Sequence, residues 1–493
     1  MENNSLSKSQ FIRGLQCHKS LWLYKYKPEL RTPPDEGQEA LFEAGKDIGV
    51  LAHGLFPGGV LIEFEGSSFD EKVKQTRELI ENGVKTIYEA TFRYDNMIVM
   101  VDILHKGDEG WEIYEVKGST EVKDVHLSDL AVQYYTLKGS GLPLSKASLV
   151  YINNNYVRHG EIDVNGLFAI AVLTDEASKR QDSVKDELAE LRAMLSGEAP
   201  DIDIGPHCKD PYECDFMAHC WSHIPECSVF DISRLGNKQY DLYYRGILDF
   251  KDIPDDYPLN PKQRMQVEAE LTGREFIDLA GIKEFLKTVY YPLCFLDFET
   301  INPAVPMFEG RRPYEQIPFQ YSLHFIEKEG GELRHYEFLA KEGADPREEL
   351  VKRLVSDIPP DACVLAYNMG FEKGVLKNLA GAFPAYADKL MNIYDHIKDL
   401  MMPFQKKHLY KKEMMGSYSI KYILPALVPE LSYKGMEIGN GGEAMNAYAT
   451  LHLIEDQKEV ARIRKALLEY CKLDTLAMVR ILEKMEDLVA KGD

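Results

Sequence analysis

Four groups of residues have the types and spacing to do chemistry. In the first, Asp102 follows the apolar run IVMV, and Glu115 and Lys117 lie in GWEIYEVKG, with turn residues 106–110 between the two runs. The turn GDEG is symmetric, so a two-residue hairpin pairs Gly107 with Gly110 and, further along the same register, Asp102 with Glu115. Directly opposed residues have Cβ atoms about 4.5–5.5 Å apart, and two like charges there are destabilising unless a partner such as a divalent cation offsets them. Lys117 is two residues beyond Glu115 and faces the same side, where an ammonium polarises water or neutralises a developing phosphorane charge. The plainer alternative is a solvated hairpin face. The apolar surroundings of Asp102 weigh against it, because buried carboxylates need partners.

In the second group, Asp297 and Glu299 of FLDFET share one face of a strand. Glu372 of AYNMGFEK follows another strand, and Tyr470 and Asp474 of YCKLDT stand one helical turn apart. Four carboxylates held this way suit two-metal phosphoryl transfer, in which cations about 3.5–4 Å apart need acidic bridges. Asp395 and Asp399 are further acids, but the sequence gives neither a strand end. The third group is Cys208-x5-Cys214-x5-Cys220, with Cys17 or Cys227 as a fourth thiolate. Four thiolates suit an iron-sulfur cluster or a structural zinc, the latter with His219 or His223 in reach. Cys294, Cys363 and Cys471 lie in apolar runs and read as small core residues. The fourth group is Lys406, Lys407, Lys411, Lys412 and Lys421, interleaved with Phe404, Tyr410, Tyr418 and Tyr422 against the single acid Glu413. Lysines neutralise phosphates and aromatics stack on unpaired bases, so this stretch is a candidate single-strand contact surface, with a solvated loop as the alternative.

The elements that must position these residues follow from the rest of the chain. At 493 residues, and about 150 per domain, the chain predicts two or three domains. With 45% hydrophobic and 28% charged residues it buries a sizeable core, which excludes disordered, collagenous and low-complexity classes. Fifty-eight basic and 80 acidic residues give a net charge of −22, which disfavours an indiscriminate nucleic-acid coat or an acidic membrane as main partner. No run approaches the roughly 18 apolar residues of a membrane helix, and MENNSLSKSQFIRGL lacks a signal-peptide core, so a cytoplasmic location is expected. Eight cysteines are too few for a disulfide framework.

Three segments are predicted. Residues 1–228 read as two helices, the hairpin, a helix, a strand, a long helix and the cysteine-rich end. The second helix carries Leu41, Ala44, Ile48, Leu51 and Ala52 at helical spacing, with His53 in its last turn before Pro57-Gly58-Gly59. Residues 229–290, broken by Pro254, Pro258 and Pro261, read as a helical connector. Residues 291–493 alternate strands with helices: YPLCFLDFETI, PFQYSLHFIE, a helix over 346–357, ACVLAYN, then helices to the end. The fold class is α/β in several domains.

With those residues in hand, the first segment resembles the PD-(D/E)XK nucleases of the RecB type. The resemblance implies metal ligation of Mg²⁺ or Mn²⁺ by His53, Asp102, Glu115 and the Val116 carbonyl, catalysis by Lys117, and support from Gln133. Leu137 stands where the family often has tyrosine. The start LSKSQFIRGLQCHKSLWLYKY is similar to RecB-like nucleases of the CRISPR-associated and AddB kinds, in which one early cysteine joins three late ones around a [4Fe-4S] cluster; this implies Cys17 with Cys208, Cys214 and Cys220. The last segment resembles the DnaQ-like, RNase H-fold 3′ to 5′ exonucleases. That implies metal ligation by Asp297, Glu299, Glu372 and Asp474, with Tyr470 orienting water; Glu372 stands where that family usually has aspartate. Together the resemblances imply a metal-dependent nuclease with two sites, most simply an exonuclease on single-stranded DNA or DNA ends. RNA is an alternative substrate, a nucleic-acid-binding adaptor an alternative role, and the sequence specifies no protein partner.

Overall fold

The chain forms two units of mixed α and β structure in the computed structural model, which describes residues 5–63 and 66–492. One unit runs to His223 and takes in Pro303–Tyr314; the other comprises Ile224–Asn302 and the chain from Glu315 onward.

In the first unit, helices α1 (Lys8–Gln16), α2 (His18–Tyr26), α3 (Glu36–Ala52), α4 (Phe69–Glu81), α5 (Asp124–Gly139) and α6 (Gln181–Leu195) accompany seven strands. These are β1 (Leu6–Ser7), β2 (Val60–Leu61), β3 (Thr86–Tyr94), β4 (Met97–Lys106), β5 (Trp111–Lys117), β6 (Leu144–Ile152) and β7 (Phe168–Val172). The sheet order is β2-β3-β4-β5-β6-β7, with β1 added beside β4. The expected hairpin register is present: Lys106 pairs with Trp111 and Ile103 with Tyr114, and the Gly107 N–H donates to the Gly110 carbonyl at 2.9 Å. Strand β3 and helix α4 had no counterpart in the sequence reading. On α3, Ile48 and Ala52 are buried as expected, whereas Leu41 is 72% exposed. Helix α5 is buried along most of its length, because the sheet and other helices cover several of its faces.

The second unit contains α7 (Pro261–Thr272), α8 (Leu279–Leu286), α9 (Arg347–Asp357), α10 (Gly370–Ala382), α11 (Ala387–His396), α12 (Ile420–Leu427), α13 (Gly441–Thr450) and α14 (Gln457–Gly492). Its strands are β8 (Phe276–Ile277), β9 (Leu293–Ile301), β10 (Ile317–Ile326), β11 (Leu333–Leu339), β12 (Cys363–Ala366), β13 (Ile397–Asp399) and β14 (Leu409–Tyr410). Five of them form a mixed sheet in the order β11-β10-β9-β12-β13, antiparallel from β11 to β9 and parallel beyond. The central strand β9 is buried almost throughout, which explains its near-continuous apolar sequence. Strand β11, polar on its exposed positions, escaped the sequence reading.

The first part of the small helical connector expected over 229–290 gathers an apolar cluster of its own around Val229, Leu242 and Phe250. The connector's later helices, α7 and α8, supply Ala269 and Ile282 to the second unit's core, alongside Phe295, Phe404 and Met478, and β8 pairs with β14. Among the described residues, no helix is long and apolar enough to cross a membrane.

Candidate active sites

In the first unit, β5 and α5 bring the hairpin acids into a buried charge cluster. Lys117 Nζ lies 2.6 Å from Glu115 Oε1 and 2.5 Å from Asp129 Oδ2. Gln133 Nε2 donates to Glu115 Oε2 at 2.8 Å, while its own Oε1 is buried without a hydrogen-bond partner. The Val116 N–H donates to Asp102 Oδ2 at 2.6 Å, tying the two strands where their ladder ends. Burial, and then the charge of Glu115, push the Asp102 carboxyl up to about 8. Burial also raises Glu115, but Lys117 and Lys8 outweigh it and hold that carboxyl below the usual range. Burial lowers Lys117, and Glu115 and Asp129 more than reverse this, so it stands as a firm ammonium.

Three members of this cluster were not read from the sequence: Lys8, Asp129 and Glu89. Asp129 sits four residues before Gln133 on one helical face, a spacing that could have flagged it. Lys8 comes from the distant α1, for which no local signal exists. Glu89 has a left-handed backbone (φ 58°) within β3, a conformation rare outside glycine. There the strand changes phase, so that Ile87 and Ala90 enter one core cluster and Tyr88 the other.

His53 is a correction. Its ring stacks on Tyr88 at 3.8 Å, and Tyr88 belongs with Ile48, Ile103 and Tyr114 in the second of those core clusters. Tyr114 and Glu115 are consecutive in a strand and therefore point to opposite faces, so His53 is not brought to the Asp102–Glu115 cluster.

In the second unit, Asp297 and Glu299 project from β9, Glu372 from the first turn of α10, and Tyr470, Cys471 and Asp474 from α14. Ligand atoms of Asp297, Glu299 and Cys471 lie within 4.8 Å of one another, and Cys471 Sγ is 3.6 Å from Asp297 Oδ2. The expected role of Cys471 as a small core residue is thus incomplete; it lies against the acids. Glu372 is 2% exposed, and its Oε2 has no hydrogen-bond partner. Tyr433, missed from sequence, donates to Asp474 Oδ1 at 2.5 Å. None of the four carboxylates forms an ion pair among the described residues. Burial dominates their titration: it raises Asp297 well above the usual range, with Asp474, Glu299 and Glu372 adding repulsion. It pushes Glu299 and Glu372 up to about 8 each and Asp474 up to about 6, the last eased by hydrogen bonds from Tyr433 and Tyr470. Asp399, contrary to expectation, ends a strand. Its Oδ1 accepts from the Asn368 and Met401 N–H groups at 3.0 Å each, holding Asn368 in its left-handed conformation, and its charge adds to the upward push on Glu372.

These raised values fix the sign of a pH effect. The folded state holds protons that the unfolded chain has released, so this contribution to stability is whole below about pH 4, where unfolded carboxylates titrate, and fades as pH rises through 6 and 8. In chelator, the melting temperature of the second unit is expected to fall between pH 6 and pH 9, and Mn²⁺ is expected to restore it. A melting temperature that is flat or rising over that range in chelator would count against the buried acid cluster.

Comparison with known proteins gives relatives without a named activity. Residues 294–419 match the family described as a domain of unknown function, DUF2779, a stretch that includes Asp297, Glu299, Glu372 and Asp399 but ends before α14. The chain is 25% identical to the uncharacterized protein UU173 of Ureaplasma parvum, over 85% of this chain and 80% of that protein. It is 24% identical to the uncharacterized protein MG366 of Mycoplasma genitalium over 40% of this chain, and 25% identical to the MG366 homolog of Mycoplasma pneumoniae over a similar share. The match spans about a third of the length of each of these two Mycoplasma relatives.

The cysteines separate cleanly. Cys17, Cys208, Cys214 and Cys220 line one cavity of the first unit, together with Ser20, Phe216 and Met217. Cys17 caps the end of α1 and the start of α2, and burial raises its thiol and that of Cys220. Cys227 instead packs beside Val229 and Ile232 in the second unit, its thiol pushed up to about 11 by burial and then by the charge of Glu270. His219 and His223 do not line the cavity.

The lysine stretch is only partly a surface. Lys407 is buried, with Nζ 3.6 Å from the centre of the buried Tyr410 ring and burial pushing it down to about 8. Lys411 pairs with Glu275 at 2.8 Å. Lys406 and Lys412 are exposed, as is Lys421, whose Nζ donates to the Gly439 carbonyl at 3.0 Å and whose charge bears on Glu299 and Asp474. Of the five lysines of the expected contact surface, Lys406 and Lys412 remain there, with Lys421 beside the acids.

Proposed function

We propose that the chain is a metal-dependent nuclease acting on single strands or ends of nucleic acid, with the principal site in the second unit. The observation that carries this reading is the set of carboxylates formed by the buried Glu299, Glu372 and Asp474 and the half-buried Asp297, which repel one another, form no ion pair among the described residues, and leave Glu372 Oε2 unpartnered. Such a set is stable as anions only with cations among them. Bound Mg²⁺ or Mn²⁺ would activate water and stabilise the leaving oxygen. Asp297 and Glu299 fit as ligands from one strand, Glu372 and Asp474 from helices α10 and α14. Tyr433 orients the Asp474 carboxylate, Tyr470 flanks the position of an attacking water, and Lys421 is placed to meet phosphate. Asp297 and Glu299 on a central strand, with Tyr470 and Asp474 on the last helix, support the likeness to the DnaQ-like, RNase H-fold exonucleases.

The first unit is read as a RecB-like PD-(D/E)XK site in which Asp102 and Glu115 face a cation and Lys117 supplies the ammonium. One observation favours a second reading for this unit alone, a nucleic-acid-holding module without turnover: Glu115 is already neutralised by Lys8 and Lys117, and His53 lies elsewhere. The four-cysteine cavity is read as a [4Fe-4S] site. Tetrahedral zinc with Zn–S of about 2.3 Å would bring sulfurs to about 3.8 Å of one another, whereas among the described residues no three cysteine sulfurs lie mutually within 4.8 Å.

The test is digestion of end-labelled single-stranded DNA and RNA in Mn²⁺ or chelator by wild type, Lys117→Ala and Asp297→Ala. Metal-dependent loss of label that disappears in Asp297→Ala supports the principal site and names the substrate. A residual activity that disappears in Lys117→Ala adds the second site. No cleavage of either strand by wild type sinks the nuclease reading in favour of an adaptor.

A further inference from the structure

Helix α1 joins the two chemical features of the first unit. Its first residue, Lys8, places Nζ 2.6 Å from Glu115 Oε1 and 3.5 Å from Asp129 Oδ1. Its C-terminal cap is Cys17, which lines the four-cysteine cavity. Both ends are fastened. At the first, a capping box links Ser7 and Gln10. Towards the second, Arg13 donates to both carboxylate oxygens of Asp215 at 2.6 and 2.9 Å, and Gln16 Nε2 donates to the carbonyls of His207 and Tyr212 at 2.8 and 2.6 Å. His207 and Asp215 each adjoin a cavity cysteine, Cys208 and Cys214. An α-helix is stiff over nine residues, about 14 Å, so the cysteine loop and the Lys8 ammonium do not shift independently. Two ammoniums share Glu115 Oε1. Lys117 reaches it from the same strand, so its place is local; Lys8 reaches it from the junction of α1 with β1, which pairs with β4.

We infer that the cysteine cavity governs the acid cluster of the first unit through α1, with Lys8 as the positioning residue that occupies Glu115 and Asp129 and opposes entry of a cation between them. Bidentate Arg–carboxylate pairs such as Arg13–Asp215 are geometrically specific, so loosening this clamp, which Arg31 shares through Asp215 Oδ2 at 2.5 Å, lets α1 tilt about its β1 end and shifts Lys8 from the acids. Cation binding then strengthens, because a positive charge has left the site. The coupling is mechanical; its bearing on turnover rests on the reading of this cluster as a nuclease site.

The experiment is a double-mutant cycle in the full chain, with Asp297→Asn throughout so that the second unit's acids do not report. Wild-type clamp, Asp215→Asn, Lys8→Met and the double variant are compared by Mn²⁺ titration calorimetry and by hydrogen exchange of the 111–117 strand. Lys8→Met is expected to tighten Mn²⁺ binding about tenfold, the effect of removing a nearby unit charge. Asp215→Asn is expected to tighten it several-fold when Lys8 is present and not at all when Lys8 is methionine. Lys8→Arg is expected to keep the response to Asp215→Asn. Additive effects, or no response to Asp215→Asn in either background, overturn the coupling. If none of the four binds Mn²⁺, the metal reading of the first unit falls, and exchange alone decides. Faster exchange of the strand on Asp215→Asn only when Lys8 is present keeps the coupling, and any other pattern overturns it.

Discussion

Asp297→Asn is expected to abolish metal-dependent cleavage by the second unit while raising its melting temperature in chelator. The amide keeps the shape of the carboxylate but removes the charge that Asp474, Glu299 and Glu372 all bear upon. A ligand lost from a two-metal centre removes stabilisation specific to the transition state. A fall of about 1000-fold in rate is therefore expected, equivalent to about 4 kcal/mol of barrier. The same change relieves repulsion within a buried acid cluster, and active-site acids of this kind trade stability for function. A relief of about 1–2 kcal/mol corresponds to a rise of roughly 2–8 °C for a unit of this size. The rise is expected to grow from pH 6 to pH 9, because the native carboxyls are increasingly forced to ionise over that range. Single-turnover cleavage and calorimetry in chelator check both halves. A variant that keeps wild-type rate, or that melts lower than wild type, would show that Asp297 is an ordinary core residue.

Cys17→Ser carries the largest expected effect on stability. If the four cysteines hold a cluster, Cys17 ties the N-terminal helices to the cysteine loop near the other end of the first unit, closing a loop that contains strands β2 to β7. By the chain-entropy estimate, closing so long a loop is worth about 5 kcal/mol. Cys17→Ser is accordingly expected to lose its bound iron and to lower the melting temperature of the first unit by about 10 °C or more. Cys227→Ser is expected to retain iron, since Cys227 packs in the other unit against Glu270. Iron content and calorimetry of the two variants decide the matter. Iron retained by Cys17→Ser and lost by Cys227→Ser would reverse the assignment, and zinc in place of iron in the wild type would replace the cluster.

Much of the local structure was legible because it depends on neighbours in sequence. The symmetric GDEG turn set the register of β4 and β5, apolar runs marked β9, β10 and β12, and helical spacing put Tyr470 and Asp474 on one turn of α14. Of the strands that escaped notice, the two longest, β3 and β11, lack a clean signal for different reasons. Strand β11 alternates only weakly, and β3 changes phase at Glu89, where the left-handed backbone breaks the two-residue period. The same kind of local reasoning misplaced His53. A helix end followed by a hairpin says nothing about which face of the sheet the helix packs on, and here it packs on the face away from Glu115.

The sequence by itself determined the mixed α/β class, the hairpin and helix that carry Asp102, Glu115, Lys117 and Gln133, and the strand and helix that carry Asp297, Glu299, Tyr470 and Asp474. All of these follow from short-range periodicity. Only the tertiary structure decided which charges meet. It brought Lys8 and Asp129 to Glu115, Tyr433 to Asp474, and Asp399 to a strand end beside Glu372. It withdrew Lys407 into the core and Lys411 into an ion pair, and it separated Cys227 from the cavity that Cys17 joins. These contacts join residues far apart in the chain. Whether a charge is buried, paired or free depends on which faces pack together, and no local pattern specifies that.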